Sequence, residues 1–97
     1  MTPEAKVKAK VVAILKAAGV YYFYPVTGGY GASGVPDIIV CCNSMFFAIE
    51  CKAGTNKPTA LQERNIKQIR DNGGIAIVVN EENLNTVQDI LKTLKGD

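Results

Sequence analysis

Three charged side chains lie in two otherwise apolar stretches of the chain, and these residues are the best suited to chemistry. Asp37 stands near the start of the first stretch, residues 35–42, whereas Glu50 and Lys52 stand near the end of the second, residues 45–52. A buried or half-buried carboxylate costs several kcal/mol unless it is paired or bound to a metal. Because one lysine can offset only one of two negative charges, the pattern predicts a divalent cation between the two acids.

Whether the two acids can meet depends on the register of a predicted β-hairpin. Asn43-Ser44 separates the two apolar stretches and is a weaker turn signal than Asn-Gly. If Cys42 pairs with Met45 across this turn, the antiparallel register places Asp37 directly opposite Glu50. Opposed side chains on one face of a sheet have Cβ atoms about 5 Å apart. The two carboxylates could therefore share one ion.

The other residues near Glu50 follow from the alternation of side chains along a strand. Lys52 shares the face of Glu50, and the Cys51 side chain points to the opposite face. Oxygen donors in a chain without histidine favour Mg²⁺ or Mn²⁺ over zinc. The alternative is a purely structural ion pair between Lys52 and one of the acids at a strand end.

Two polar residues on predicted helices could face the same site. Glu4 is at helical spacing from the apolar Val7, but an acid in the first turn is also favourable at any helix N-terminus. Gln62 is at helical spacing from Ile66, but with Thr59 it also forms the pattern of a capping box. Spacing alone leaves both interpretations open for both residues.

Periodicity and capping signals predict the element order αβββαβα in a single domain over residues 1–97. Both hairpin strands are apolar on both faces, which predicts a layered α/β fold in which these strands are covered on both sides. The predicted elements are a helix from Pro3 to Ala18, a strand over 20–24, the hairpin strands over 35–42 and 45–52, a helix over 60–72, a strand over 75–79 and a last helix with the stripe Leu84, Val87, Leu91 and Leu94.

Composition narrows the class of protein. No run approaches the roughly 20 apolar residues of a membrane helix, and the polar N-terminus lacks the apolar core of a secretory signal, so we expect a cytoplasmic protein without a membrane partner. The three cysteines, Cys41, Cys42 and Cys51, lack the spacing of a zinc site and are expected to be buried free thiols.

The net charge of +2 is weak support for a polyanionic partner, so the positions of the lysines carry more information. Lys6, Lys8 and Lys10 cluster near the N-terminus. They could contact phosphates, or they could simply form the solvated face of a helix.

The motifs resemble those of a known nuclease superfamily. Pro36-Asp37 followed by Glu50-Cys51-Lys52 resembles the PD-(D/E)XK signature. The predicted order is similar to the restriction-endonuclease-like αβββαβ core, which implies an α/β fold with a mixed central sheet flanked by helices, here with an extra C-terminal helix. More narrowly, nearly the whole chain resembles a stand-alone VRR-NUC domain, the virus-type replication-repair nuclease. The segments that carry this resemblance are Gly34-Val-Pro-Asp-Ile-Ile-Val, Ile49-Glu-Cys-Lys and Leu61-Gln-Glu-Arg-Asn-Ile-Lys-Gln-Ile.

The resemblance implies a role for each candidate residue. Asp37, Glu50 and the backbone carbonyl of Cys51 would bind the metal. Glu4 would join them, because its spacing is similar to that of archaeal-type Holliday junction resolvases, in which an acid on the first helix completes the site. Lys52 would orient or deprotonate the attacking water and stabilise the phosphorane.

The resemblance also implies a function, with Gln62 supporting the site from its helix. It implies a Mg²⁺- or Mn²⁺-dependent endodeoxyribonuclease that acts in repair and recombination by cutting branched or double-stranded DNA, above all four-way Holliday junctions, as a homodimer. A phage origin would place it in the host cytoplasm. Two alternatives remain: a flap- or nick-directed repair nuclease with the same site, and a non-catalytic nucleic-acid-binding module.

Several aromatic residues and one loop could serve this function or none. Tyr21, Tyr22, Tyr24 and Phe46 could supply a dimer interface or pack in the core. The glycine-rich segment 27–34 could move over DNA or be an ordinary surface loop.

Overall fold

The predicted order of elements is present in the computed structural model, which describes residues 1–26 and 34–96. Apart from Gly34, the glycine-rich segment 27–34 lies outside the described residues. No helix in the described ranges is long and apolar enough to cross a membrane. The elements are α1 (Pro3–Ala18), β1 (Tyr21–Phe23), β2 (Ile38–Cys42), β3 (Met45–Cys51), α2 (Ala60–Asp71), β4 (Ile75–Val79) and α3 (Asn85–Lys95).

Helix α1 begins and ends where its capping residues predict. The side chain of Thr2 accepts a hydrogen bond from Ala5 N at 3.1 Å, and Pro3 occupies the first helical position, where its missing N–H costs nothing. Gly19 ends the helix in the left-handed conformation, with φ of 69°, and donates its N–H to the carbonyl of Leu15.

The four strands form one mixed sheet in the order β1-β2-β3-β4, in which the first three are antiparallel and β4 runs parallel to β3. Cys42 pairs with Met45, which confirms the predicted hairpin register. Asn43 and Ser44 both have positive φ angles, 51° and 70°, as a tight two-residue hairpin turn requires. Ser44 adopts this conformation although it has a Cβ.

Helices cover the two faces of the sheet, so alternate residues of each strand enter different cores. Val40 and its partner Phe47 pack in the core formed with α1 and α3. Ile39 and its partner Ala48 pack in the smaller core formed with α2. Glu50 lies two residues after Ala48 and therefore belongs to the α2 face.

Strand β2 is shorter than predicted, because it starts at Ile38 rather than at residue 35. Pro36 has no N–H to give to a ladder, and Asp37 lies in a bend just before the first paired residue. Strand β1 likewise covers only Tyr21–Phe23 of the predicted 20–24. The bounds of α2 and β4 agree with the prediction to within one residue.

Candidate active site

Glu50 is the one charged residue that is buried in the described part of the chain, with 1% of its surface exposed. Its Oε2 accepts a hydrogen bond from Gln62 Nε2 at 2.9 Å and lies 3.5 Å from Lys52 Nζ. Its Oε1 is the one buried side-chain oxygen or nitrogen without a hydrogen-bond partner among the described residues. Glu50 therefore has one oxygen with polar partners and one that is buried without a hydrogen-bond partner.

Asp37 lies beside the end of β3, where the antiparallel ladder stops. The last paired residues are Ile38 and Ile49, so the predicted pair of Asp37 and Glu50 falls one position beyond the ladder. There, Asp37 Oδ2 accepts a hydrogen bond from Cys51 N at 2.8 Å. This hydrogen bond from a backbone N–H holds the side chain of Asp37 next to the end of β3, the strand that carries Glu50.

Burial and neighbouring charge act together on Glu50. Burial raises the pKa of Glu50, the negative charge of Asp37 raises it further, and Lys52 opposes both; the resulting pKa is about 7, compared with an ordinary 4.5. Without a cation, the carboxylate is therefore only partly ionised near neutral pH.

Lys52 links Glu50 to the start of α1. Its side chain is 12% exposed, and its Nζ lies 3.5 Å from Glu50 Oε2 and 3.9 Å from Glu4 Oε1. Glu4 is 47% exposed rather than packed on the core side. It pairs with Lys52, and its negative charge also adds to the raised pKa of Glu50. The ion pair of the structural alternative is thus present, but it leaves Glu50 Oε1 unsatisfied.

Gln62 has both of the roles that its spacing left open. Its Oε1 accepts from Thr59 N at 2.8 Å, and its N–H donates to Thr59 Oγ1 at 3.2 Å, which completes the predicted capping box. With the amide oxygen held by the cap, the amide nitrogen is directed at Glu50 Oε2. The start of α2 therefore fixes the orientation of the buried carboxylate.

The cysteines agree with the prediction in two cases out of three. All are free; Cys51 points into the core opposite Glu50, and Cys42 is also buried. Burial raises the pKa of the Cys51 thiol to about 12, so it stays protonated. The prediction was wrong for Cys41, which is exposed because it lies on the part of the α2 face that α2 does not reach.

The lysines predicted to form one cluster are divided by the geometry of the helix. Lys6 and Lys10 are four residues apart and share one side of α1, whereas Lys8 lies on another side. The positive charge of Lys10 acts on Glu81, whose pKa is lowered first by its hydrogen bond from Gly54 N. Lys8 instead lies over the ring of Tyr24.

The donors around Glu50 suit a divalent cation only in part. The orphaned Oε1 of Glu50 and the carboxylate of Asp37 are hard oxygen donors of the kind that Mg²⁺ and Mn²⁺ prefer. In the described residues, however, no three His, Cys, Asp or Glu side chains are grouped closely enough to hold an ion. The Cys51 carbonyl, water and a substrate oxygen would complete the coordination, which is usual for Mg²⁺.

Gly34 is a residue whose importance the sequence interpretation missed. It has a φ of 80°, and a Cβ at this position would lie 2.6 Å from the carbonyl carbon of Leu61 and 2.8 Å from Gln62 N. Only glycine therefore lets the segment before Asp37 pass against the first turn of α2. The position of a glycine three residues before the aspartate was the one available signal.

Comparison with solved structures finds a chain described as "VRR_NUC domain". The TM-score is 0.74 at 21% sequence identity, and the match covers 95% of this chain and 97% of the other. This chain has the same fold. The match confirms the predicted α/β architecture, a four-stranded mixed sheet flanked by helices in the manner of a VRR_NUC core. No protein-family model and no curated protein matches the sequence.

The raised pKa of Glu50 predicts how stability depends on pH in the metal-free protein. Between about 4.5 and about 7 the folded state retains a proton that the unfolded state releases, so this contribution to stability is complete below the unfolded pKa and is lost as pH rises through the folded pKa. The loss is at most about 3.5 kcal/mol. Glu50→Gln removes the titration.

Urea unfolding in EDTA at several pH values measures this effect. The free energy of unfolding of the wild type, relative to Glu50→Gln, should fall between about pH 4.5 and about pH 7 and level off above that range. A difference that stays constant over this range would contradict the proposed protonation of Glu50.

Gly34→Ala should destabilise the protein more than an alanine at an ordinary left-handed glycine. The control is Gly73→Ala, because Gly73 has a similar φ of 90° but open space around its Cβ position. The control should lose only the conformational cost of about 1–2 kcal/mol. Gly34→Ala should lose that and more, because its methyl group meets backbone atoms. If urea unfolding shows the same loss of unfolding free energy in both variants, the close approach of Gly34 to α2 does not contribute to stability.

Proposed function

We propose that this protein is a metal-dependent endodeoxyribonuclease of the VRR-NUC family that uses Mg²⁺ or Mn²⁺ and cleaves four-way DNA junctions as a homodimer. The observation that carries the proposal is the buried Glu50, which has one unsatisfied oxygen and lies beside Asp37 and Lys52. A scaffold gains nothing from a carboxylate whose ionised form is disfavoured by burial and by a second acid. The VRR_NUC fold around it supports the same interpretation.

The side chains have separable tasks in phosphodiester hydrolysis. Asp37 and Glu50 would hold the cation, together with the Cys51 carbonyl. When bound, the ion would lower the pKa of a coordinated water and neutralise negative charge on the phosphoryl oxygens. Glu50 must give up its proton to bind the ion, so we expect affinity for the cation to increase as pH rises through about 7.

Gln62 and Lys52 prepare the site for this reaction. The amide of Gln62 holds Glu50 Oε2, which leaves Oε1 for the cation. Lys52 Nζ lies between Glu50 and Glu4 and is the cationic group nearest the buried carboxylate, where it can orient the attacking water and stabilise negative charge on the phosphorane. Glu4 would restrain Lys52 or join the ion through water.

An exposed aromatic surface supports the homodimer. Tyr21 pairs with Cys41, which pairs with Phe46, so these side chains form one row across three strands on the α2 face. Tyr21 is 69% exposed and Phe46 is 47% exposed, and Phe23 on the edge strand β1 is also exposed. A two-fold dimer would cover this row and present two active sites, one for each strand cut at a junction.

The nuclease proposal predicts cleavage of a labelled four-way junction with Mg²⁺ or Mn²⁺ but not with EDTA. Asp37→Asn and Glu50→Gln should each lower the rate by on the order of 100-fold or more, because each removes a charge that binds the cation. Glu82→Gln makes the same chemical change at an exposed position and should retain activity.

Circular dichroism must show that all three variants are folded. Unchanged cutting by Asp37→Asn and Glu50→Gln would rule out this site. A panel of junction, flap, nicked and linear duplex distinguishes the substrates: cutting only of flaps or nicks would replace the junction assignment, and salt-sensitive binding without any cleavage would indicate a binding module.

The dimer predicts a solution mass twice that of one chain, measured by light scattering after gel filtration. Phe46→Glu places a charge at the β3 end of the aromatic row and should yield monomers. Gln88→Glu adds the same charge on α3, on the opposite side of the sheet, and should leave the mass unchanged. A monomeric wild type would overturn the dimer without affecting the catalytic residues.

A further inference from the structure

A groove of about 540 Å³ runs along the side of α1 and is bounded at its far wall by Tyr24. One face of the helix lines it from Ala5 to Lys16. Three of the lining residues are alanines at every fourth position, so short side chains leave the helix surface open to close approach. The lining contains two lysines, Lys8 and Lys16, and no acid from the described residues.

Lys8 is held in place within this groove. Its Nζ lies 4.6 Å from the centre of the Tyr24 ring, a cation–π contact that restricts an otherwise flexible side chain. The Tyr24 ring is itself in edge contact with Tyr22, with centroids 6.0 Å apart. The ammonium group is therefore in position before any ligand arrives.

The groove begins next to the candidate active site. Ala5 directly follows Glu4, whose Oε1 is 3.9 Å from Lys52 Nζ. Lys8 and Lys16 are two turns apart along α1, about 12 Å at 1.5 Å per residue. One strand of duplex DNA rises about 3.4 Å along the helix axis per nucleotide, so this distance, laid parallel to that axis, corresponds to about three to four nucleotides.

The other grooves fit a phosphate backbone less well. The groove beside β4 includes Glu63 and Asp71 in its lining. The groove between α1 and α3 has two lysines in its lining. One of them, Lys95, already donates a hydrogen bond to the carbonyl of Ala18 at the C-terminus of α1. The α1 groove combines two lysines and no acid in its lining with a position one residue from Glu4, which pairs with Lys52.

We propose that the α1 groove binds the phosphate backbone of the DNA strand that flanks the scissile phosphate, with Lys8 and Lys16 as the phosphate contacts and Tyr24 as the residue that positions Lys8. This inference rests on the proposed nuclease function, since it identifies where the substrate strand leaves the same site. It separates Lys8 from its sequence neighbours Lys6 and Lys10, which lie on another side of the helix.

The test measures binding of a fluorescent four-way junction and of a linear duplex in EDTA over a series of NaCl concentrations. The protein carries Asp37→Asn, so cleavage cannot interfere. Lys8→Ala with Lys16→Ala should weaken binding at least about tenfold at low salt and reduce the slope of log K against log salt by about 2. Lys6→Ala with Lys10→Ala removes the same charge from the same helix and should change both quantities much less.

Tyr24 has its own test, because its role is to position a charge rather than to supply one. Tyr24→Leu should weaken binding while leaving the salt slope close to that of the parent protein. Tyr24→Phe keeps the ring and should restore binding. A Tyr24→Phe variant as weak as Tyr24→Leu would overturn the cation–π assignment.

The outcomes distinguish the groove from the nuclease site. Equal losses in the two double-lysine variants, or no loss in either, would overturn the groove even if the wild type cuts junctions. A selective loss in the Lys8 and Lys16 variant would support the groove even if no DNA substrate is cleaved, and only the nuclease proposal would then fail.

Discussion

The burial of one carboxylate, Glu50, constrains the arrangement of every element near the site. An ionised acid in a sheet core is costly unless hydrogen bonds and opposite charge compensate for it. Here, Gln62 provides one hydrogen bond and Lys52 provides the charge, yet the nearby Asp37 adds repulsion. The balance keeps the pKa near 7, so the residue changes between a neutral and an ionised form under conditions in which proteins work. A strongly shifted pKa of this kind, caused by burial together with a specific charged neighbour, is typical of functional sites.

The first turn of α2 connects this electrostatic problem to the backbone. A capping box normally serves only the helix itself, because it gives hydrogen-bond acceptors to backbone N–H groups that are unpaired at the helix N-terminus. In this protein the same glutamine side chain also donates to Glu50, so the helix start and the site share one side chain. Gly34 extends the connection to the other acid, because its close approach to Leu61 fixes the segment that leads to Asp37. Displacement of α2 would therefore disturb both carboxylates at once.

Local rules predict much of this arrangement from the sequence. Caps at Thr2, Gly19 and Thr59 define two of the helices, and the two-residue turn defines the hairpin register. These features are predictable because each depends on residues only a few positions apart. The exposure of Cys41 was not predictable, because it depends on how far α2 extends over the sheet.

Competing uses of one polar group also escape sequence rules. Spacing identified Gln62 as either a cap or a site residue, and only the fold shows that its two amide atoms serve the two roles separately. Asp37 also has a partner that its spacing does not reveal. Its side chain accepts a hydrogen bond from the backbone N–H of Cys51, where the ladder between β2 and β3 ends. A pattern of residue types states what a group can bind, but not how many partners reach it.

The location of the site at the end of β3 has a geometric reason. Within a strand, Glu50 and Cys51 face opposite layers, so α1 and α2 cannot both contact one residue there. Lys52 comes one residue after the strand, where the sheet no longer separates the two layers. Its long side chain can therefore contact Glu50, which α2 holds, and Glu4, which α1 supplies. The strand end is thus the place where groups from both helical layers converge, and a shift of this lysine by one position would separate them again.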